Sequence, residues 1–336
     1  MNKSKKRVDL PLLEPLYSTY HYQGICTAAT VNNPSLRNRE LNQVIMLTCN
    51  RKFLHGFTTP EITVKGSAWS ESPYFERKFY GMQFLEGKTN FVIKRLLDAG
   101  YYVSFEDIDD YYVEGKSWYG KRHFSHDGCI CGYDEETKSF CLYAYDQNWI
   151  YQKFWTSQKS FDTARKAQFK RGMYGGICGI KPKEDQITFS PSIALSSIAE
   201  YLDSDLKKYP EEGEGNVFGI VVHDYIAKYV RKLFDGSVPY ERMDRRVFRM
   251  IWEHKKVMLE RIALIEDALS MDHAISESYR SVVREADNCR MLYAAHHMKQ
   301  KNAVLPIIHK KLLSLKEKEQ ELLTELLEKS KEEKEA

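Results

Sequence analysis

The sequence predicts an α+β protein of 336 residues, with a mixed N-terminal half and a helical C-terminal half. Short apolar runs of strand length, separated by turn residues, recur up to about residue 187. Helical periodicity then continues from the segment TFSPSIALSSIAEYL almost to the end. This change in pattern predicts two domains, residues 1–188 and residues 189–336.

Two segments of the N-terminal half have helical character. The first is SLRNRELNQVIMLTCNRKFL, where Ser35 is the expected N-cap. The second is NFVIKRLLDAG, which Gly100 ends. The predicted strands are the runs YYVSFE, DGCICGYD, SFCLYAYD, IYQKFW and GGICGIKP. Turn residues 134–137 predict that the second and third of these runs form a hairpin.

The C-terminal half begins with a helix that Ser190 caps, with Pro191 at the first helical position. Long amphipathic helices are predicted at residues 217–234, 240–269, 274–299 and 304–331. Their short connections favour antiparallel packing in a bundle. The charged last helix is expected to be exposed or to bind a partner, and a homodimer through the C-terminal helices is one such arrangement.

Composition bears on which classes of protein this chain can belong to. Hydrophobic residues make up 43% and charged residues 29%, as in ordinary globular proteins. Basic residues are spread along a chain of net charge +3, so we expect no nucleic-acid partner. No apolar run approaches the roughly 20 residues of a membrane span, and no secretory signal is visible. We therefore expect no membrane association and a cytoplasmic location. Seven cysteines, an odd number, argue against a disulfide framework.

The stretch HFSHDGCICGYD, residues 123–134, is the most informative pattern in the chain. A structural zinc site needs four ligands, commonly from two CxxC knuckles, whereas this stretch has one CxC and no second knuckle follows. We therefore predict that Cys129 and Cys131 are small buried residues of a strand. Neither a metal nor a redox cofactor is expected.

His126 begins the stretch HDGCICGYD, which is predicted as a strand, and the hairpin brings the end of the next strand back beside it. Asp146, at that end, is its predicted neighbour. A carboxylate in this position fixes the tautomer of an imidazole and stabilises its charged form. We predict that His126 is a catalytic base oriented by Asp146. His123 is the alternative base and Asn148 the alternative orienting residue.

A nucleophile would complete this arrangement, and the stretch YHYQGICTAAT offers Cys26. The small residues after Cys26 can begin a helix. A thiol at a helix N-terminus near a histidine has a lowered pKa and reacts as the thiolate. Gln23 is the expected donor to a developing oxyanion, together with a backbone N–H near Cys26.

The order Cys26, His126 and Asp146 resembles that of the papain-like cysteine peptidases. The stretch HDGCICGYDEETKSFCLYAYD is most similar to the bacteriocin leader peptidases. The whole chain, with its helical C-terminal region, resembles the butirosin-biosynthesis acyltransferase family, and it is also similar to the amide-forming enzyme of closthioamide assembly. It departs from the peptidase pattern at Gln23, which lies closer to the cysteine than the glutamine of these peptidases, and at Thr27, where they have glycine or tryptophan.

The resemblance implies a papain-like domain over residues 1–188, followed by a helical bundle. It also implies an acyltransferase of secondary-metabolite biosynthesis. Cys26 would take an acyl group from the phosphopantetheine thioester of an acyl or peptidyl carrier protein and pass it to a small-molecule amine, forming an amide. Two alternatives remain: a papain-like peptidase or thioesterase, and a catalytically dead scaffold.

An acidic segment, FEDIDDYY, precedes the His126 strand. It contains Glu106, Asp107, Asp109 and Asp110. The segment is either a solvated turn or a cluster that attracts a cationic amine.

Overall fold

The computed structural model describes residues 6–55, 59–85, 87–173, 175–204, 215–240 and 243–335. In this part of the chain the helices are α1 (His21–Ala28), α2 (Arg37–Gln43), α3 (Thr89–Asp98), α4 (Gln158–Lys170), α5 (Pro191–Asp203), α6 (Val222–Phe234), α7 (Arg246–Leu269), α8 (Ala274–Lys299) and α9 (Leu305–Glu335). The strands are β1 (Arg7–Asp9), β2 (Leu47–Asn50), β3 (Ile62–Val64), β4 (Phe75–Gly81), β5 (Tyr102–Asp109), β6 (Ser125–Asp134), β7 (Ser139–Tyr145), β8 (Tyr151–Ser157), β9 (Gly176–Pro182) and β10 (Asn216–Phe218). The predicted α+β class with a helical C-terminal region is confirmed. No helix among the described residues has both the length and the apolar character needed to cross a membrane.

The chain divides into two compact units. One comprises the residues up to Leu36 together with Ala68–Gln186, and the other comprises Arg37–Ser67 together with the residues from Ile187 onward. The predicted boundary after residue 188 lies close to the end of the first unit, but residues 37–67 belong to the second. Strand pairing explains this assignment, because β2 lies between β3 and β10 in a three-stranded antiparallel sheet.

The single long helix predicted from Ser35 is wrong. Helix α2 ends at Gln43, and β2 begins at Leu47. The apolar residues 44–47 are buried. Such a short apolar run fits a buried strand as well as a buried helix, so periodicity alone does not separate the two. Cys49 consequently lies in a strand, where its side chain is buried.

The first unit is built on one antiparallel sheet with the strand order β4-β9-β5-β6-β7-β8. Strand β1 pairs with the distal end of β6, where Val8 lies opposite Tyr133. Residues of α3 and α4 pack in one apolar cluster with Phe105 and Ile130. Residues of α1 pack in a second cluster with the cysteines of β6. This arrangement places α1 against β6, the strand whose second residue is His126.

The second unit buries a charged network among its helices. The carboxylate of Glu319 (α9) accepts hydrogen bonds from Lys255 Nζ at 2.6 Å, Tyr201 Oη at 3.2 Å and Tyr279 Oη at 2.5 Å. His223 Nε2 lies 3.7 Å from the same carboxylate. All five side chains are fully buried. Buried charges are tolerated when they are paired and hydrogen-bonded, and this pair fulfils both conditions.

Arg261 of α7 joins residues 37–67 to the helices of the second unit. Its guanidinium donates to the carbonyl oxygens of Glu40, Leu41 and Val44 at 2.7–3.0 Å. The last carbonyl groups of a helix have no partner within that helix. Arg261 supplies that partner to the end of α2, and its own side chain is fully buried as a result.

Because His254 is buried, we predict that the second unit becomes less stable to unfolding in acid. Burial, together with the charge of Lys255, lowers its pKa well below the ordinary 6.5, and its Nε2 lies 2.8 Å from the Ile45 carbonyl. Below about pH 6.5 the unfolded chain binds a proton here that the native protein does not. The free energy of unfolding should therefore fall as the pH falls, by up to about 1.4 kcal/mol per pH unit from this residue. The free energy of unfolding in urea is measured between pH 7 and 5. It should fall less steeply with pH in His254→Gln than in wild type, whereas the exposed control His55→Gln should behave as wild type does. The same pH dependence in His254→Gln as in wild type would contradict a role of His254 in acid sensitivity.

Candidate functional site

The candidate site lies where β5 ends and β6 begins. Antiparallel pairing places Ile108 opposite His126 and Asp109 opposite Ser125. Asp110 follows β5 directly and begins a short 3-10 turn, residues 110–112. The pairing register therefore brings the side chain of Asp110 to that of His126.

His126 and Asp110 form a hydrogen-bonded pair, with 3.0 Å between Nδ1 and Oδ2. A carboxylate only accepts, so His126 Nδ1 donates to Asp110 in the tautomer that leaves the lone pair on Nε2. The side chain of Asp110 is buried and that of His126 is partly exposed. An imidazole in this state is equipped to act as a general base.

Lys116 is the cation beside this pair. Its Nζ lies 3.6 Å from Asp110 Oδ1 and 3.3 Å from His126 Nδ1, and its side chain is buried. Burial lowers the pKa of Lys116, and the charges of Asp110 and Asp127 act in the opposite direction. The ammonium thus compensates the buried charge of Asp110.

His21, the first residue of α1, lies next to His126, with 5.0 Å between the ring centroids. The rings of Tyr145 and Tyr151 lie 5.8 Å and 5.3 Å from that of His21. His21 is 6% exposed, and among the described residues neither ring nitrogen has a hydrogen-bond partner. Burial, with the nearby Lys116 and His126, lowers the pKa of His21 well below 6.5. Its imidazole is therefore neutral at physiological pH.

Asp127 completes the cluster on its exposed side. Its Oδ1 lies 3.8 Å from His21 Nε2 and 4.0 Å from His126 Nε2. The side chain of Asp127 is 43% exposed. Solvent can reach the partly exposed ring of His126 past this carboxylate, whereas the ring of His21 is buried.

Cys26, the predicted nucleophile, lies in the second turn of α1 and not at its N-terminus. It lies five positions after His21, which corresponds to about 7.5 Å along the helix axis. Its side chain is 2% exposed and belongs to the apolar cluster that contains Cys129 and Cys131. Gln23 is also buried in α1. His21 is the α1 residue whose ring lies beside that of His126, and the nucleophilic role of Cys26 stays a prediction.

Asp146 does not take the place predicted for it beside His126. Its Oδ1 accepts from the backbone N–H groups of Asn148 and Ile150 at 2.8 Å and 2.9 Å, and its Oδ2 accepts from Gln152 at 2.7 Å. The pairing of β6 with β7 stops at Cys129, before it reaches His126. Asp146 therefore holds the turn between β7 and β8. Burial would raise its pKa, but these hydrogen bonds outweigh it and lower the pKa. Asn148, the predicted substitute, is an exposed residue of the same turn.

His123, the predicted alternative base, forms its own pair with Asp109, with 2.7 Å between Nδ1 and Oδ2. Asp109 is fully buried and also lies 3.2 Å from Arg171. Neither Asp109 nor Asp110 belongs to a solvated turn, which was one expectation for this acidic segment. The local signal that would have identified them is two carboxylates directly after a buried strand, followed by two histidines where the antiparallel neighbour begins.

Two groups in the described part of the chain bring three potential metal ligands within 4.8 Å of one another. One consists of His21, His126 and Asp127, and the other of Asp9, Cys131 and Cys141. Cys131 and Cys141 are buried, with 3.6 Å between their sulfur atoms. The predicted burial of Cys129 and Cys131 is confirmed.

The sequence matches no protein-family model and no curated protein. Functional inference therefore depends on the geometry around His126 and on the sequence patterns described above.

Proposed function

We propose that this chain is an acyltransferase in which His126, oriented by Asp110, acts as the general base. The observation that carries the proposal is the 3.0 Å contact between the partly exposed imidazole and a buried carboxylate. The choice of acyl transfer among base-catalysed reactions comes from the resemblance of residues 123–146 to the papain-like enzymes. A papain-like fold of the first unit belongs to the same proposal, and the packing of α1 against β6 supports it.

The proposed reaction joins an acyl group to an amine. The donor is a thioester on the phosphopantetheine of a carrier protein, as the resemblance implies. As the new C–N bond forms, the amine passes a proton to Nε2 of His126. As the C–S bond breaks, that proton moves to the departing sulfur. Asp110 stabilises the imidazolium between these steps, which is the role of a buried carboxylate in such pairs.

The acceptor amine is expected to arrive as an ammonium. It loses one proton to solvent before it attacks, because only the neutral amine has the lone pair that forms the C–N bond. Asp110 and Asp127 carry two negative charges against the one positive charge of Lys116, so the cluster has a net negative charge when both imidazoles are neutral. The half-exposed Asp127 is the part of the cluster that an incoming ammonium meets first. Opposite charges at a cleft raise the local concentration of a charged ligand.

Two routes are open to the acyl group: a covalent intermediate on Cys26, or direct attack of the amine on the thioester. The surroundings of Cys26 favour the direct route, because its side chain is 2% exposed and packs in an apolar cluster. On this route water in place of the amine would give hydrolysis. The thioesterase and the amide-forming enzyme therefore differ in the acceptor, not in the base.

The experiment incubates the enzyme with an acyl-pantetheine thioester and a panel of amines, and follows amide and free acid by mass spectrometry. We expect amide to exceed free acid, and His126→Ala to lower the rate of its formation about 10²–10⁴-fold. Cys26→Ala should change the rate little, as should the matched buried-cysteine control Cys49→Ala.

Three outcomes would contradict parts of this proposal. Free acid with every amine would identify a thioesterase. An acyl group found on Cys26, together with an inactive Cys26→Ala, would establish the covalent route. No turnover of any thioester would favour a scaffold.

A further inference from the structure

We propose that His21, His126 and Asp127 form a binding site for a divalent transition-metal ion, with Zn²⁺ as the ion that best fits the ligands. One ring nitrogen of each histidine and one oxygen of Asp127 lie within 4.8 Å of one another. One class of catalytic zinc site uses two imidazoles and one carboxylate as ligands and leaves a further position open. The proposed acyl transfer needs no ion.

His21 provides an independent reason to expect a ligand. A buried imidazole without hydrogen-bond partners costs free energy, because its polar atoms have left water with nothing in exchange. Both ring nitrogens of His21 are in this state among the described residues. An ion bound at Nε2 would satisfy one of them. The rings of Tyr145 and Tyr151 already hold the imidazole in place.

His126 carries the outer support that is typical of a metal ligand. Histidines that bind metals generally donate their second ring N–H to a carboxylate or a carbonyl group, which fixes the tautomer and the ring orientation. The bond from Nδ1 to Asp110 does this and directs Nε2 towards Asp127 and His21. The net negative charge of the cluster also favours a cation.

The cluster must contract to bind the ion. Around Zn²⁺, with ligand bonds of about 2.0–2.2 Å, tetrahedral ligand atoms lie roughly 3.4 Å apart. The two Nε2–Oδ1 distances are 3.8 Å and 4.0 Å, and the two imidazole nitrogens lie within 4.8 Å of each other. The half-exposed Asp127 and the two rings must therefore rotate to bring the ligand atoms together. Because the ion takes Nε2 of His126, the metal-bound form and the base form exclude each other. If the proposed function holds, Zn²⁺ is then a reversible inhibitor.

The test measures binding without substrate. The metal-free full-length chain is titrated with Zn²⁺ in competition with a chromophoric chelator, and with Co²⁺, whose visible absorption reports nitrogen and oxygen ligation. We expect one ion per chain. His21→Ala and Asp127→Asn should each weaken binding at least about tenfold, since loss of even a supporting residue costs that much. His123→Ala, which removes a histidine outside the cluster, and Cys131→Ser, which disables the other ligand group, should bind as wild type does.

Absence of Zn²⁺ binding would overturn the proposal. Unchanged affinity in both His21→Ala and Asp127→Asn would also overturn it. So would a result in which Cys131→Ser loses binding while His21→Ala and Asp127→Asn bind as wild type does. Asp127→Asn alters a half-exposed side chain, so it remains informative if His21→Ala fails to fold. Binding is measured here without any catalytic assay, so failure of acyl transfer and failure of the metal site are separate results.

Discussion

Asp110→Asn should lower kcat/KM for acyl transfer about 10²–10⁴-fold, the range seen when an oriented general base is disabled. An asparagine amide can donate to Nδ1 of His126, which would move the ring proton to Nε2 and remove the lone pair that accepts the substrate proton. The measurement is the initial rate of amide formation in the thioester assay, with binding of the donor followed separately.

Two carboxylates of the same unit serve as matched controls. Asp109→Asn alters an equally buried residue that pairs with His123, and Asp146→Asn alters the residue predicted from the sequence to orient His126. Both should change the rate far less than Asp110→Asn. A large loss in Asp146→Asn alone would restore the sequence prediction and remove Asp110 from the mechanism.

Glu319→Ala should lower the free energy of unfolding by about 3–5 kcal/mol, the typical cost of leaving one member of a buried ion pair without its partner. The variant leaves the ammonium of Lys255 buried and removes the acceptor of two tyrosine hydroxyl groups. Urea unfolding followed by circular dichroism should show a lower midpoint at an unchanged slope.

Removing both charges tests whether the pair itself is needed. Lys255→Met combined with Glu319→Leu should recover much of the lost stability, since apolar replacements of a buried pair are often tolerated. The surface control is Glu325→Ala, which breaks a half-exposed pair with Lys329 and should cost less than about 1 kcal/mol. If Glu325→Ala and Glu319→Ala lowered the free energy of unfolding equally, burial of the ion pair would not explain the effect of Glu319→Ala.

Local sequence predicted β5 to β9, which are strand-length runs bounded by turn residues, but it did not predict β1 and β4 of the same sheet. It did not predict the end of α2, since the apolar residues after Gln43 fit both a strand and a helix. It also misplaced the start of α1. The residue before that helix, Tyr20, makes no side-chain capping hydrogen bond, so the usual signal for a helix start is missing.

The candidate site was predicted in part. His126 was identified because it begins a strand with a clear alternating pattern, and the structure places it in a polar cluster. Its partner Asp110 was missed because the register of β5 against β6, which contains a bulge between Phe105 and Ile108, is not written in either strand alone. His21 was missed for a related reason: its contact with His126 depends on where α1 packs on the sheet.

The assignment of residues 37–67 to the second unit has a consequence for synthesis of the protein on the ribosome. Strands β2 and β3 leave the ribosome early, but the edge of β2 that pairs with β10 has no partner until residues 216–218 have been made. During that interval the parts of the first unit that precede and follow residues 37–67 in the sequence can form their own sheet. Strands β2 and β3 still lack the third strand of theirs. Open strand edges invite pairing with other chains. Once the chain up to residue 188 has left the ribosome, every strand given above for the first unit is available for pairing, whereas β2 still lacks β10.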